Sequence, residues 1–368
     1  MRKYRFAIVG AGVIGSWHAK VIDELDGAEL ACVIDTDRSV ADALADKHCV
    51  MAHYDLESAL ASPADFEVVA VCVPSGLHAD IAVRALEAGK HVIIEKPIDV
   101  TLDAADRIIA AQRASGRLAT VIHQHRFDRS SQIMLDAIAS GHLGRLSSGV
   151  VSGAWWRGQS YYDSGTWRGT WELDGGGALM NQGVHAIELL VAVLGRPVEA
   201  FAYADCLAHE RIEVEDTAAA VVRFESGALG TIHGTTAAFP GVFTRLQVHG
   251  DCGSIVIEND ELTFIHTTSG EQAESFIDSP RGAANQLAQY IDASAGGGPN
   301  AASDPRQLSD SHRYQYENFL GTLDGRAELV ISLEEARLAV ALTLAIYESA
   351  RTGRPAAVEE PKLAATSR

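Results

Sequence analysis

The sequence predicts two successive domains, the first α/β around a parallel sheet and the second α+β around a large, mostly antiparallel open sheet. Three observations carry this. Up to about residue 125, short apolar runs alternate with amphipathic stretches, the order that builds a parallel sheet covered on both faces. Gly10, Gly12 and Gly15 form G-x-G-x-x-G between the first strand pattern and the first helix pattern. Beyond about Asp128 the alternation stops, and short β patterns follow, separated by turn signals such as Ser226-Gly227 and Asn259-Asp260. The expected organisation is a Rossmann dinucleotide-binding domain over 1–125, an α+β substrate domain over 126–355, and a tail over 356–368.

The first strand, Phe6 to Val9, runs into the glycine turn and then a helix to about Leu25. Glycine suits a tight turn where backbone N–H groups must approach a pyrophosphate. The helix start behind it adds free donors and a favourable dipole. Gly10, Ala11, Gly12, Val13, Ile14 and Gly15 are therefore expected to cradle phosphates. The second strand, "AELACVID", ends at Asp35, twenty residues after Gly15. An acid there accepts hydrogen bonds from an adenosine ribose. Asp35 repels a 2′-phosphate, so NAD is favoured. NADP is the second choice, since Arg38, beside Thr36 at the same strand end, is close enough to compensate.

"FEVVAVCV" (66–73) is a buried strand that ends at Pro74, Ser75 and His78. "HVII" (91–94) stops at Glu95, Lys96 and Pro97, and "LATVI" (118–122) at His123, Gln124, His125 and Arg126. Open parallel sheets bind ligands at the carboxyl ends of their strands, and the polar clusters fall there. Pro74, Ser75, His78, Glu95, Lys96 and Gln124 are thus expected beside the cofactor. A Glu-Lys pair after a strand is by itself a common surface feature; the convergence singles it out. His123 and His125 face one side of a strand, but no third ligand accompanies them at suitable spacing, and no metal is predicted.

The second domain opens with a helix, Ser130 to Ser140, and a strand-like "LSSGVVSGAWW" (146–156). The loop that follows is long and rich in glycine and aromatics. Its Tyr161, Tyr162, Trp167, Arg168 and Trp171 either wall a polyhydroxylated ligand or pack between domains. Arg168 is also a candidate for the cofactor, and Arg126 for the substrate. A helix is expected from about Gly177 to Gly195, with Asn181 and His185 on one face and Glu188 near it. A lone histidine in an apolar helix is usually a satisfied core residue. This Asn–His pair, directly after a glycine run and an aromatic loop, points to a site instead. β patterns run from 197 to 277, and helices return near 284–294, 311–323 and 333–351.

Composition narrows the partners. Of 368 residues, 47% are hydrophobic and 21% charged, the balance of a globular chain, and the net charge is −19. That charge argues against nucleic acid and anionic membranes, which take basic patches. No apolar run approaches the roughly 20 residues of a membrane span, and Met1 to Arg5 leads straight into the first strand with no signal-peptide pattern. Five cysteines (Cys32, Cys49, Cys72, Cys206, Cys252) without C-x-x-C are expected to be reduced, mostly buried and cytoplasmic.

The glycine loop, "CVPSGLHADIAVRALEAGKHVIIEKP", "WRGTWELDGGGALMNQGVHAIELL" and "GRAELVISLEEARLAVALTLAIYESARTGRP" together resemble the Gfo/Idh/MocA family, over nearly the whole chain. The resemblance implies a nicotinamide-dependent oxidoreductase acting on sugars, cyclitols or nucleotide sugars. It implies a homodimer or homotetramer formed through the second-domain sheet. It implies Lys96 as the catalytic or proton-relay lysine, with a cis peptide at the proline after it, and His185 as the second catalytic residue. Many members carry aspartate where this chain has Asn181. Asparagine cannot take a proton, although it can orient a hydroxyl.

Hydride leaving an alcohol carbon requires a base for the hydroxyl proton, and a histidine suits this. A neighbouring lysine stabilises the developing alkoxide. The expected roles are therefore His185 as base and Lys96 as polarising or relay partner. Asn181, Tyr161, Tyr162 and Trp167 would position a sugar or cyclitol. Two other functions suit the same fold: a redox-neutral NAD-dependent glycosidase, and a non-catalytic dinucleotide-binding sensor. The presence of both Lys96 and His185 counts against the sensor.

Overall fold

The computed structural model describes residues 2–268, 284–290 and 310–360. The first domain is a six-stranded parallel sheet of β1 (Tyr4–Val9), β2 (Ala28–Ile34), β3 (Met51–His53), β4 (Val68–Val71), β5 (His91–Ile94) and β6 (Ala119–Val121). Their order, β3-β2-β1-β4-β5-β6, reverses direction between β1 and β4. That reversal is where such sheets open a crevice. Helices α1 (Val13–Asp23), α2 (Arg38–His48), α3 (Leu56–Leu60), α4 (His78–Glu87) and α5 (Leu102–Ser115) connect the strands. β1, β4 and β5 are almost wholly apolar and buried, as covering on both faces demands. Asp37, Asp55 and Thr101 cap the starts of α2, α3 and α5 with side-chain oxygens.

The second domain starts with α6 (Arg129–Ala139) and the long strand β7 (Leu146–Ala154). After the short α7 (Gln159–Tyr162) comes a six-residue π-helical stretch, Ala178–Gly183, and then α8 (Val184–Leu194). Strands β8 (Pro197–Asp205), β9 (Thr217–Phe224), β10 (Leu229–Thr235), β11 (Phe243–Gly250), β12 (Gly253–Glu258) and β13 (Glu261–Thr267) follow. Helices α9 (Ser311–Leu323) and α10 (Leu333–Thr352) lead to β14 (Ala356–Ala357). The eight-stranded sheet runs β13-β12-β11-β7-β10-β9-β8-β14. It is antiparallel except where β10 lies parallel to β7. β9 alternates buried and exposed residues with period two, so one face packs on α8 and α10 and the other stays open.

Several expectations are corrected. β3 and α3 are elements to which the sequence reading assigned no place. α9 belongs to the first domain's core: Tyr316, Phe319 and Leu320 pack with Phe6, Ile8 and Val33. α10 bridges the domains, and its fully buried Arg337 pairs with Asp106 of α5 at 2.5 Å. The expected helix near 284–294 is a single 3-10 turn, Leu287–Gln289; residues 291–294 lie outside the described residues, as do 269–277 of the expected β region. The tail starts later than 356, since β14 pairs with β8 and Val358 joins the core. All five cysteines are free, but only Cys32 and Cys72 are buried. Among the described residues, no helix is long and apolar enough to cross a membrane.

Candidate active site

One cleft of about 1860 Å³ runs along the carboxyl ends of β1, β2, β4 and β5 and onto the second domain. Small-molecule sites usually occupy about 300–1,000 Å³, so this one has room for a dinucleotide with a second ligand. Gly10, Gly12, Val13, Ile14, Asp35, Thr36, Pro74, Ser75, Glu95, Lys96 and Gln124 line it from the first domain. Tyr161, Trp167, Arg168, Asn181 and His185 line it from the second.

The glycine turn is built for backbone contact. Gly10 has φ +98°, and a Cβ there would lie 2.4 Å from the Cys72 carbonyl oxygen. A Cβ on Gly15 would lie 1.9 Å from the Gly10 carbonyl, so glycine lets α1 sit against β1. Asp35 accepts from the Ala11 amide at 2.7 Å and from the Asp37 amide at 2.9 Å, which ties the end of β2 to the turn. These residues fit a dinucleotide: an open amide cradle at a helix start, with a carboxylate beside it.

The two domains meet at Lys96. Its Nζ donates to the Asn181 main-chain carbonyl at 2.8 Å. The peptide after it, Lys96-Pro97, is cis. Burial lowers the Lys96 pKa, with Arg168 and Arg157 adding to the effect and Glu95 and Asp174 opposing it. His185 lines the same cleft, and its Nδ1 is enclosed without a hydrogen-bond partner among the described residues. Burial holds its pKa well below the ordinary histidine value, and His125, Lys96, His123 and His312 push the same way. A neutral imidazole beside a lysine ammonium is a base next to a charge stabiliser. Asn181 donates from Nδ2 to Asp174 and accepts Gln182 Nε2 at 2.8 Å, so its amide is oriented within the wall.

Behind Lys96 lies a polar network that sequence reasoning missed. Glu95 accepts from His18 Nε2 at 2.8 Å, and His18 Nδ1 meets the Tyr316 hydroxyl at 2.5 Å. Burial would raise Glu95, but His18, His312 and Lys96 outweigh it and bring it down to about 2. His18 is 1% exposed, and both ring nitrogens are engaged. On the other side of His185, the His125 ring stands edge-on at 5.0 Å between centroids. His125 Nδ1 pairs with Asp128 at 2.6 Å and lies 3.5 Å from Asp260. Although burial opposes it, Asp260 and Asp128 raise His125 to about 9, which makes it an imidazolium at neutral pH. His18, Glu95 and His312 form one cluster of cation-ligand spacing, and His125, Asp128 and Asp260 another. Tyr316, His312 and Asp260 were not visible as partners in the sequence, because α9 and the β12–β13 turn bring them from far along the chain.

Six predicted contacts are relocated. Ala11 and Gly15 shape the glycine turn but do not line the cleft. Arg38 stacks on the Tyr54 ring at 4.0 Å, outside the lining. His78 faces inward, 2.8 Å from the Pro97 carbonyl and 3.0 Å from the Val73 carbonyl. Burial keeps His78 low, so a neutral ring donates to only one of them and braces the Lys96 turn from behind. Tyr162 is buried, its hydroxyl 2.9 Å from that of Thr236. Arg126 is buried in an ion pair with Glu188, with bonds of 2.5 to 3.0 Å, and is turned away from the cleft. Trp171, from the aromatic loop, packs on Tyr347. Asn181 and His185 do share the cleft, but across a π-to-α junction instead of one regular helix.

The comparison with known proteins agrees with this architecture. Residues 4–123 match the oxidoreductase family with an NAD-binding Rossmann fold, and residues 131–256 match the GFO/IDH/MocA C-terminal domain. The chain belongs to the Gfo/Idh/MocA oxidoreductase family. It is 27% identical to the D-glucoside 3-dehydrogenase of Escherichia coli K12 over 353 residues, covering 95% of this chain and 96% of that one. It is 30% identical to the 1,5-anhydro-D-fructose reductase of Ensifer adhaerens over 263 residues, 69% of this chain and 76% of that one. Among solved structures, the WlbA dehydrogenase of Bordetella pertussis, in complex with NADH and UDP-GlcNAcA, superposes with a TM-score of 0.82. The two are 29% identical over 97% of this chain and 99% of that one. The chain is thus an oxidoreductase with an NAD-binding domain.

Proposed function

We propose that this Gfo/Idh/MocA chain transfers hydride between NAD and a hydroxyl-bearing carbon of a sugar, cyclitol or sugar derivative. The observation that carries the reading is that the Lys96 ammonium and the His185 imidazole face one cleft that begins at the glycine turn. When bound, NAD supplies the hydride acceptor. His185, held neutral by burial, takes the substrate hydroxyl proton. Lys96 donates to the same oxygen and stabilises the charge that develops on it. Asn181 orients the substrate through its amide, and Tyr161 and Trp167 wall the ring. Gln124 and Arg168 border the cofactor, and Asp35 selects NAD by accepting from the ribose and repelling a 2′-phosphate.

A second copy of the chain is the partner that best suits the open face of the second sheet, where Tyr203, Val221 and Leu229 are 72, 56 and 54% exposed. Five free cysteines suit a cytoplasmic setting. The test is nicotinamide absorbance with NAD and with NADP across aldoses, cyclitols and their keto forms. Reduction of NAD by one group of sugars is the expected result. Silence across the whole panel, with cofactor retained on the protein, contradicts hydride release and favours a redox-neutral glycosidase.

A further inference from the structure

On the second-domain wall of the cleft, two arginines stand without a paired carboxylate among the described residues. Arg157 and Arg168 both line it, and neither forms an ion pair among the described residues. Arg157 donates from Nη2 to Gln182 Oε1 at 2.7 Å and from Nη1 to the Trp156 carbonyl at 3.2 Å. Two of its five N–H donors are thereby engaged, and its Nε is enclosed without a partner. Its guanidinium lies 5.5 Å from the Tyr161 ring centroid. The Tyr161 hydroxyl accepts from Arg168 at 2.8 Å and from Gln182 at 3.1 Å, so the group is braced.

The carboxylates nearby do not pair with Arg157 directly. Asp174 is already taken by the Gly169 amide at 2.8 Å and by Asn181. Glu95 is held by His18. In a chain of net charge −19, arginines that line an open cleft without an ion pair among the described residues run against the composition. The phosphates of a dinucleotide do not account for Arg157, because the glycine turn and α1 of the other domain provide for them.

We propose that Arg157, held by Gln182 and Tyr161, binds an anionic substituent of the substrate, so that the enzyme prefers acidic sugars, carboxylated or phosphorylated, over neutral ones. This rests on the hydride-transfer reading above for its meaning, although the binding stands apart from it. A guanidinium takes carboxylate or phosphate oxygens through paired N–H donors, and a partly enclosed one does so without full competition from water.

The test is calorimetric titration of NADH-loaded protein with D-glucuronate, D-glucose 6-phosphate and D-glucose, in the wild type, Arg157→Gln and Arg157→Lys. The expected result is binding of one acidic sugar about 10- to 100-fold tighter than D-glucose, the scale of a charge-assisted bond. That margin should collapse in R157Q and return in part in R157K. Which acidic sugar wins tells carboxylate from phosphate. Equal affinities in the wild type, no binding of either acid, or an R157Q loss as large for D-glucose as for the acids overturns the proposal. The wild-type ranking and R157K decide it even where R157Q does not fold. NAD reduction is read in parallel. Acid preference without any turnover sinks hydride transfer and keeps the anion subsite, while turnover of neutral sugars without acid preference does the reverse.

Discussion

Lys96 reaches across 85 residues of sequence to donate its ammonium to the Asn181 main-chain carbonyl at 2.8 Å. The bond joins the end of a parallel strand in one domain to a π-helical turn in the other. Asn181 therefore acts on Lys96 through its backbone, which any residue supplies. An aspartate at this position would offer Lys96 the same carbonyl.

Lys96→Ala should bind NADH with little change and lose about 10²- to 10⁴-fold in kcat, the range of a positioned acid–base group. NADH fluorescence titration and steady-state rates check it together. A variant that keeps full turnover would remove Lys96 from the chemistry.

His185 should govern the acid limb of the pH profile. Burial and four neighbouring basic groups place its pKa below the ordinary 6.5. The free base therefore persists as pH falls through 6.5, and kcat/KM should decline only below that. Lys96, lowered from 10.5, should set an alkaline limb below 10.5. A profile of kcat/KM against pH tests both, and His185→Asn should lose the acid limb along with most of the rate. An acid limb at or above 6.5 in the wild type would contradict the assignment.

Asp35→Ser should raise the kcat/KM ratio of NADP over NAD. The serine removes both the ribose acceptor and the charge that repels a 2′-phosphate. It also frees the Ala11 amide, which Asp35 holds at 2.7 Å, so some loss with NAD is expected. An unchanged cofactor ratio would mean that selection lies elsewhere.

The parts of this site that follow from local pattern were legible in the sequence, and those that depend on long-range packing were not. The glycine turn, Asp35 and the ends of β4 and β5 were readable, because a parallel sheet delivers every strand end to one edge. Lys96 and His185 followed from motif and resemblance. The Tyr316–His18–Glu95 chain was not readable, because α9 returns to the first domain's core from almost 300 residues away. His125 was seen as part of a polar run, but its charge comes from Asp260 on a β turn. Arg126 and Tyr162 were misplaced because a polar group at a strand end or in a loop looks the same in sequence whether it faces a ligand or a buried partner. Arg157 carried no motif, and it is marked out in three dimensions by its place in the cleft without an acidic partner among the described residues.

His125 should make stability depend on alkaline pH. Its folded value, about 9, lies above its ordinary 6.5, so its contribution is complete below 6.5 and is lost as pH rises through 9. The gain corresponds to at most about 3 kcal/mol. Thermal melts of the wild type and His125→Asn between pH 6 and 10, in roughly half-unit steps, follow the difference. The gap should narrow across that window. A gap that does not change with pH would show that His125 is not held as an imidazolium.

Arg126 should matter for stability and not for substrate recognition. Its guanidinium is buried against Glu188, itself 1% exposed, with Glu335 a further 3.3 Å away. Arg126→Ala leaves the Glu188 carboxylate buried and without its cation, which typically costs about 3–5 kcal/mol. Burial already raises the Glu188 pKa while Arg126 opposes it, so the lone carboxyl in the variant should pick up a proton more readily. The double variant R126M/E188L removes both charges and fills the same space, and should recover most of the loss. Urea unfolding of the three proteins tests this, with KM measured on each that folds. Arg126 lines no part of the cleft, so the double variant should keep a KM near that of the wild type. A large KM rise in the double variant at restored stability would return Arg126 to the substrate site.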